Sequence, residues 1–264
     1  MLNFSKTSDR RKEILAGLER NLAEDRLHHA YIFSGPVGVG KLETAQEFAA
    51  NLLSQGGLLV GDRRATLERL GRGNEPDYVW IEAQDAVIKV AAVRDLPKTL
   101  SYAPLEANWR VLVIQDAQCM NLMAANALLK ILEEPPPHTV FILITPDSSL
   151  LLRTIVSRAQ VVRFFPLSET MLKEKLAKEF STNLELEHAV TWAEGSYQRA
   201  QEFLENDDLR DLRKECRNIL LELWESCPRI TSAALTFLEK LKEEKEINYA
   251  LDTWLSLCRD MEKP

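Results

Sequence analysis

Cysteine is scarce in this sequence, and its spacing excludes the scaffolds that depend on it. The four cysteines lie far apart and form no C-x-x-C pair (Cys119, Cys216, Cys227 and Cys258). Structural zinc sites and disulfide-rich frameworks are typically built from closely spaced cysteines. We therefore expect reduced thiols, no structural zinc and no disulfide framework.

Long apolar runs and a surplus of basic residues are also lacking. No apolar run approaches the ~18 residues of a membrane-spanning helix, and residues 1–11 are polar and charged, unlike a signal peptide. The formal net charge is −7, so we expect no broad face that grips DNA, although a local basic patch is compatible with this charge. These features favour a cytoplasmic globular protein of about two domains.

What the sequence does contain is a glycine-rich turn between an apolar run at 30–33 and a helical pattern at 43–53. A strand, a glycine-rich turn and a helix form the setting of a phosphate-binding loop, in which backbone N–H groups and the helix N-terminus attract phosphate oxygens. Lys41 would reach the β- and γ-phosphates. The candidate nucleotide-binding residues of this turn are Gly35, Pro36, Gly38, Gly40, Lys41 and Leu42.

Two positions that should hold Mg²⁺ carry residues that cannot do so. The loop pattern ends in Ser or Thr after the lysine, and here that residue is Leu42. The strand at 111–114 should end in an Asp-Glu pair, and here it ends in Gln115-Asp116. A shift of one residue would make Asp116 the metal ligand but would leave Ala117 as the base. Because Mg²⁺ bridges the β- and γ-phosphate oxygens, we expect no hydrolysis at this site, weakened nucleotide binding and no required cofactor.

Strand patterns alternate with helix patterns through the first part of the chain. Five strands are predicted, at 30–33, 77–81, 109–114, 140–145 and 161–165. Helices are predicted at 10–27, 43–53, around 67–70, at 91–100 with a break at Pro97, and at 121–134 before Pro135. This alternation predicts an α/β fold, a parallel sheet flanked by helices with ligands at the carboxyl ends of its strands. Only helical patterns follow, which predicts domains at 1–167, 168–207 and 208–264.

Three segments carry a specific resemblance to a known family. They are His29–Pro36, with the sequence HAYIFSGP, Ala125–Pro136, with ANALLKILEEPP, and the pair Ser157-Arg158. Over roughly residues 10–205 the chain resembles the AAA+ clamp-loader subunits of bacterial DNA polymerase III. The resemblance implies a RecA-like ATPase domain, a helical lid and a C-terminal collar. It also implies gamma/tau and delta subunits as partners in a hetero-pentameric ring, with the sliding clamp and primed DNA reached through that complex.

Within this family, the departures match the delta-prime type. The motor subunits keep the lysine–threonine and Asp-Glu pairs and carry a Gly-Ser-x-Arg lid motif whose arginine touches the γ-phosphate. Here Gly195-Ser196 is followed after one residue by Gln198, and Arg199 comes one place later. The resemblance therefore implies a subunit that does not hydrolyse ATP itself.

The resemblance also implies a catalytic role for Arg158, which in this family reaches into the ATP site of the neighbouring subunit. On spacing alone, Arg158 is a surface arginine in a loop before the fifth strand. The residue after it is usually cysteine in the family and is Ala159 here. Thr145, at the end of the fourth strand, is either the remnant of a γ-phosphate sensor or a hydroxyl that satisfies the backbone.

Two alternatives stay open at this point. A gamma/tau-like motor ATPase with a degenerate metal site would need Thr44 or Asp116 to replace the lost ligands, and the helix turns Thr44 away from the phosphates. A small-molecule kinase would need a substrate-binding insertion and a basic lid, and the match at 125–136 disfavours it. Two features depart from the delta-prime pattern: residues 54–75 contain no cysteine and so lack its zinc module, and the collar region 208–264 is short.

Overall fold

A computed structural model describes residues 10–55, 62–84, 86–100, 102–180 and 184–207, with a few isolated positions beyond them. The chain divides into two compact units, Met1–Pro166 and Leu167–Pro264. The expected third domain at 208–264 lies almost entirely outside the described residues, as do Cys227 and Cys258. No helix of the described part is long and apolar enough to cross a membrane.

The first unit is built on a sheet of five parallel strands in the order β2-β3-β4-β1-β5. The strands are β1 Ala30–Ser34, β2 Tyr78–Ile81, β3 Arg110–Ile114, β4 Thr139–Thr145 and β5 Gln160–Arg163. Parallel strands need crossover connections, which helices supply. In the first unit these are α2 Lys41–Ser54, α3 Arg63–Gly71, α4 Val90–Arg94, α5 Leu96–Leu100, α6 Leu122–Glu133 and α7 Arg153–Val156. A further helix, α1 Arg10–Ala23, precedes β1.

The three central strands are buried along their whole length, as their unbroken apolar sequences predict. Their side chains point alternately to the two faces of the sheet and fill two separate cores. One core joins the sheet to α4 and α6 (Ile32, Leu112, Ile114, Phe141, Leu143, Val93 and Leu128). The other joins it to α1 and α2 (Tyr31, Phe33, Val111, Val113, Ile142, Leu15 and Phe48). The predicted α/β class, a parallel sheet flanked by helices, is confirmed.

Local sequence explains where several of these helices begin and end. The side chain of Asn121 accepts a hydrogen bond from the Ala124 N–H and caps α6, and Asp62 caps α3 in the same way. The helix predicted at 91–100 is two short helices that meet at Asp95, and Pro97 lies in the first turn of the second helix. That turn tolerates proline because its N–H groups have no partner within the helix.

The second unit contains only helices within its described residues. They are α8 Glu169–Leu176, α9 Leu184–Trp192 and α10 Tyr197–Glu205. Ser168 and Ser196 cap α8 and α10 through their hydroxyl groups. An apolar cluster holds the three helices together (Leu172, Leu176, Leu186, Ala189, Trp192, Ala200 and Phe203).

Candidate functional site

The sheet order brings the predicted nucleotide residues to one edge. β1 lies between β4 and β5, neither of which is its neighbour in sequence, and such a switch in strand order creates the crevice where α/β proteins bind ligands. Ser34 is in register with Thr145, and Ile114 is in register with Leu143. The glycine-rich loop, Thr145 and Gln115-Asp116 therefore lie beside one another.

The loop has the backbone geometry that its glycines predict. Gly38 and Gly40 have φ values of 76° and 88°, in the left-handed region that favours glycine. Gly35 is required for a different reason, because a Cβ atom at this position would lie 2.3 Å from the Phe164 carbonyl oxygen. Gly40 precedes the first residue of α2, whose N-terminus faces the loop. The positive φ values and the adjoining helix N-terminus are features that a phosphate-binding loop requires.

Lys41 is buried, and its ammonium group is turned back onto the loop. Its Nζ donates hydrogen bonds to the carbonyl oxygens of Gly35 and Pro36, each at 2.5 Å. Burial lowers the pKa of Lys41 to about 8, against the opposing influence of the Asp116 and Glu43 carboxylates. The ammonium group that would bind phosphate is therefore hydrogen-bonded to carbonyl groups of its own loop.

The two positions expected to hold Mg²⁺ do not fit the ion. Leu42 packs against the core on the α1 and α2 face of the sheet. The side-chain amide of Gln115 donates to Asp116 at 3.4 Å, and the Gln118 amide donates to the other oxygen of Asp116 at 3.2 Å. In the described part of the chain, no three His, Cys, Asp or Glu side chains are grouped so as to hold a metal ion.

The two threonines near the loop satisfy the backbone. The Thr44 hydroxyl donates to the Gly40 carbonyl at 2.6 Å and is fully buried. The Thr145 hydroxyl donates to the Asp147 carbonyl at 3.0 Å, while the Thr145 carbonyl accepts from the Gly35 N–H at 3.3 Å. Thr44 therefore does not replace the missing metal ligand at position 42 in this conformation.

Arg158 lies in the turn between α7 and β5, and three contacts hold its guanidinium group. Nη1 donates to the Thr154 carbonyl at 3.1 Å and to the Ser157 hydroxyl at 3.4 Å. Nη2 donates to Oε1 of Glu133, the last residue of α6, at 2.9 Å. The side chain remains 35% exposed. Glu133 belongs to the segment that carries the family resemblance, but its spacing from Arg158 gave no sign of this contact.

Arg158 and the glycine-rich loop lie at opposite ends of two neighbouring strands. Arg158 lies before β5 begins, and the loop follows the end of β1. Tyr31 is in register with Gln160, so Arg158 is level with the residue before β1, whereas the loop begins after β1 ends. At about 3.3 Å per residue the two ends are about 20 Å apart, which is further than an arginine side chain extends. Arg158 cannot serve the loop of its own chain, so an Arg158 that contacts a nucleotide must do so on another molecule.

Comparisons with known proteins identify the family of this chain. The family described as DNA polymerase III, delta subunit, matches residues 10–168. The DNA polymerase III subunit delta' of Bacillus subtilis (strain 168) is 27% identical over 98% of this chain and 79% of its own length. The tau/gamma subunit of Haemophilus influenzae is 34% identical over 63% of this chain and 24% of its own length.

Solved structures show the same fold. A DNA polymerase III gamma subunit-related protein from Thermotoga maritima matches with a TM-score of 0.55 at 22% identity, over 91% of this chain and 77% of its own. This likeness concerns the fold of the chain. Together with the sequence relatives, it places the five-stranded sheet among AAA+ proteins.

Proposed function

Because this chain belongs to the family described as DNA polymerase III, delta subunit, we propose that it is a delta'-type clamp-loader subunit that hydrolyses no ATP itself. In this proposal it supports the loading of the sliding clamp in DNA replication. Arg158 acts on the ATP site of a neighbouring subunit and stabilises charge on the phosphoryl group during transfer. The relatives of the chain include delta' and tau/gamma subunits of DNA polymerase III, which supports membership of the clamp-loader family.

The absence of hydrolysis is supported by the chemistry at the glycine-rich loop. Neither Leu42 nor Gln115 offers Mg²⁺ a charged ligand or a hydroxyl, and Lys41 is bound to its own loop. Phosphoryl transfer depends on that ion to neutralise the charge that develops on the phosphate oxygens. A nucleotide at this loop would contact the backbone N–H groups and Lys41 without being hydrolysed there.

The single observation that carries the action in trans is the position of Arg158. It lies at the end of the strands opposite the glycine-rich loop, with its guanidinium group partly exposed. An arginine supplied by a neighbouring molecule stabilises the transferring phosphoryl group and is worth about 10³–10⁵ in rate. The neighbour in this proposal is a gamma or tau motor subunit that retains its metal ligands.

The remaining parts of the proposal concern assembly. Residues 168–207 form the helical lid, and residues 208–264 contribute to a collar that joins the chain to gamma/tau and delta subunits in a hetero-pentameric ring. The sliding clamp and primed DNA are reached through that ring. Sedimentation of the chain mixed with gamma/tau and delta subunits tests this part, and failure to form one complex would contradict it.

Clamp- and DNA-stimulated ATP turnover of a reconstituted loader tests the role of Arg158. We expect Arg158→Ala to lower steady-state turnover several-fold while the complex still assembles. The matched control is Arg153→Ala, which removes an exposed arginine from α7 in the same region and should leave turnover unchanged. Equal turnover with wild-type chain and Arg158→Ala would show that Arg158 is structural.

A further inference from the structure

We infer that Glu133 is a positioning residue that orients Arg158 toward the neighbouring ATP site. This inference rests on the proposed function, since it concerns how Arg158 is held. Glu133 ends α6, and its Oε1 accepts the hydrogen bond from Arg158 Nη2 at 2.9 Å. It provides the one carboxylate contact among the described partners of this guanidinium group.

The contacts of Arg158 divide between its own turn and a separate helix. Thr154 lies in α7 and Ser157 ends that helix, so both groups that bind Nη1 are within four residues of Arg158 in sequence. Glu133 binds Nη2 and lies 25 residues away in sequence, on α6. The Glu133 contact therefore fixes the direction of the side chain relative to the sheet core, into which α6 is packed.

A carboxylate at position 133 does not stabilise α6 itself. Glu133 and Glu134 end α6 where the helix dipole favours positive charge, and Glu133 is 53% exposed along its side chain. An exposed ion pair contributes little to folding stability. The contact is therefore better explained by what it does for Arg158 than by what it adds to the fold.

A carboxylate beside Arg158 has two opposing effects on catalysis. It partly neutralises the guanidinium charge that would attract the phosphoryl group, and it holds a flexible side chain in one direction. Solvent weakens the first effect because Glu133 is exposed and Arg158 is partly exposed. The second effect is larger, because loss of orientation by about 1 Å can cost about 10²-fold in rate. Glu133 therefore assists Arg158.

The test is ATP turnover of the reconstituted loader with substitutions at position 133. We expect Glu133→Ala to lower kcat about twofold, which is part of the several-fold loss in Arg158→Ala, through loss of orientation, with the KM for ATP unchanged. Glu133→Gln keeps an oxygen that accepts from Nη2 and should retain most of the activity. Glu134→Ala is the matched control, because Glu134 is an exposed glutamate next to Glu133 that is not among the partners of Arg158; it should leave kcat unchanged.

The double substitution Glu133→Ala/Arg158→Ala separates the inference from the function on which it rests. If Glu133 acts through Arg158, the double variant has the same kcat as Arg158→Ala alone. Two results would overturn the positioning role alone, provided that Arg158→Ala lowers kcat. One is an unchanged or raised kcat in Glu133→Ala, and the other is a double variant in which the two losses of kcat add. Unchanged turnover in Arg158→Ala overturns the proposed function itself. Thermal unfolding of each isolated variant verifies that it folds.

Discussion

At the scale of single residues, the two positions expected to hold Mg²⁺ carry side chains that make other contacts. Leu42 is part of a packed apolar cluster, and Gln115 is bonded to the carboxylate beside it. Both side chains make contacts within the protein itself. We therefore expect that more than one change is needed to produce hydrolysis at this site.

Leu42→Thr alone should not produce ATP hydrolysis in the isolated chain, because Gln115 stays neutral and Lys41 stays bound to the loop. The same change removes apolar contacts and should lower the free energy of unfolding by about 1–2 kcal/mol. Phosphate release and urea denaturation measure the two outcomes. Leu42→Ile is the control for packing, and Mg²⁺-dependent turnover in Leu42→Thr would contradict the prediction.

Lys41 gives the stability of the chain a predictable pH dependence. Its folded-state pKa of about 8 lies below the ordinary 10.5, so the unfolded chain binds more protons between these values. The free energy of unfolding of the wild-type chain should therefore rise, relative to Lys41→Met, as pH increases from about 8 to about 10.5, by about 3 kcal/mol in total. Urea denaturation of both chains at several pH values measures this difference. A flat or falling difference would show that Lys41 is not desolvated.

Part of the site could be predicted from single residues and part could not. The loop pattern identified Gly35 to Lys41, because the chemistry of phosphate binding fixes both residue type and spacing. The contact between Glu133 and Arg158 could not be predicted, because it depends on how α6 and α7 pack. For the same reason, sequence did not reveal that Lys41 binds the carbonyl groups of its own loop.

At the scale of elements, one buried carboxylate organises the segment that leads into β3. Asp77 is fully buried and accepts hydrogen bonds from the N–H groups of Leu105, Glu106 and Ala107, at 2.7, 2.7 and 2.9 Å. Arg110 lies 3.6 Å from the same carboxylate and donates to two carbonyl groups of the preceding segment. Asp77 thereby joins the starts of β2 and β3 to the segment at 102–107.

Asp77→Asn should lower the free energy of unfolding by about 3 kcal/mol or more, because it removes a buried charge partner of Arg110 and puts an amide donor against N–H groups. Chemical denaturation measures this loss. Asp95→Asn is the control, since the Asp95–Lys98 pair is exposed and should change stability by about 0.5 kcal/mol or less. Equal effects of the two substitutions would contradict the role of Asp77.

The strands were easier to predict than the ends of the elements. β1, β3 and β4 have unbroken apolar sequences, and the structure places them at the centre of the sheet. The helix predicted at 10–27 ends at Ala23, and the strand predicted at 161–165 ends at Arg163. Asp25 has a φ of 54°, outside the right-handed helical region, so α1 does not continue through it. Such ends depend on turn geometry, for which apolar periodicity carries no signal.

At the scale of the whole molecule, the length of the strands separates the glycine-rich loop from Arg158. The glycine-rich loop lies at one end of the strands and Arg158 at the other. In the proposed function, this separation would let the chain contribute Arg158 to a neighbour although its own loop hydrolyses no ATP. The alternation of strands and helices predicted the sheet. The role proposed for Arg158 came from the family resemblance and not from this alternation.

The isolated chain should show no ATP turnover above background, with or without Mg²⁺, because its own site lacks metal ligands and Arg158 cannot reach it. Phosphate release over several hours measures this. Lys41→Ala provides the control for contaminating ATPases. Turnover that Lys41→Ala abolishes would contradict the proposal and would favour a motor subunit with a degenerate metal site.

The most direct measurement is single-turnover ATP hydrolysis in a reconstituted loader in which only the motor subunit facing Arg158 can hydrolyse ATP. We predict that Arg158→Ala lowers the rate of this single event by about 10³-fold or more, with ATP affinity and assembly unchanged. Wild-type rates in the Arg158→Ala complex would contradict the action of this chain on its neighbour.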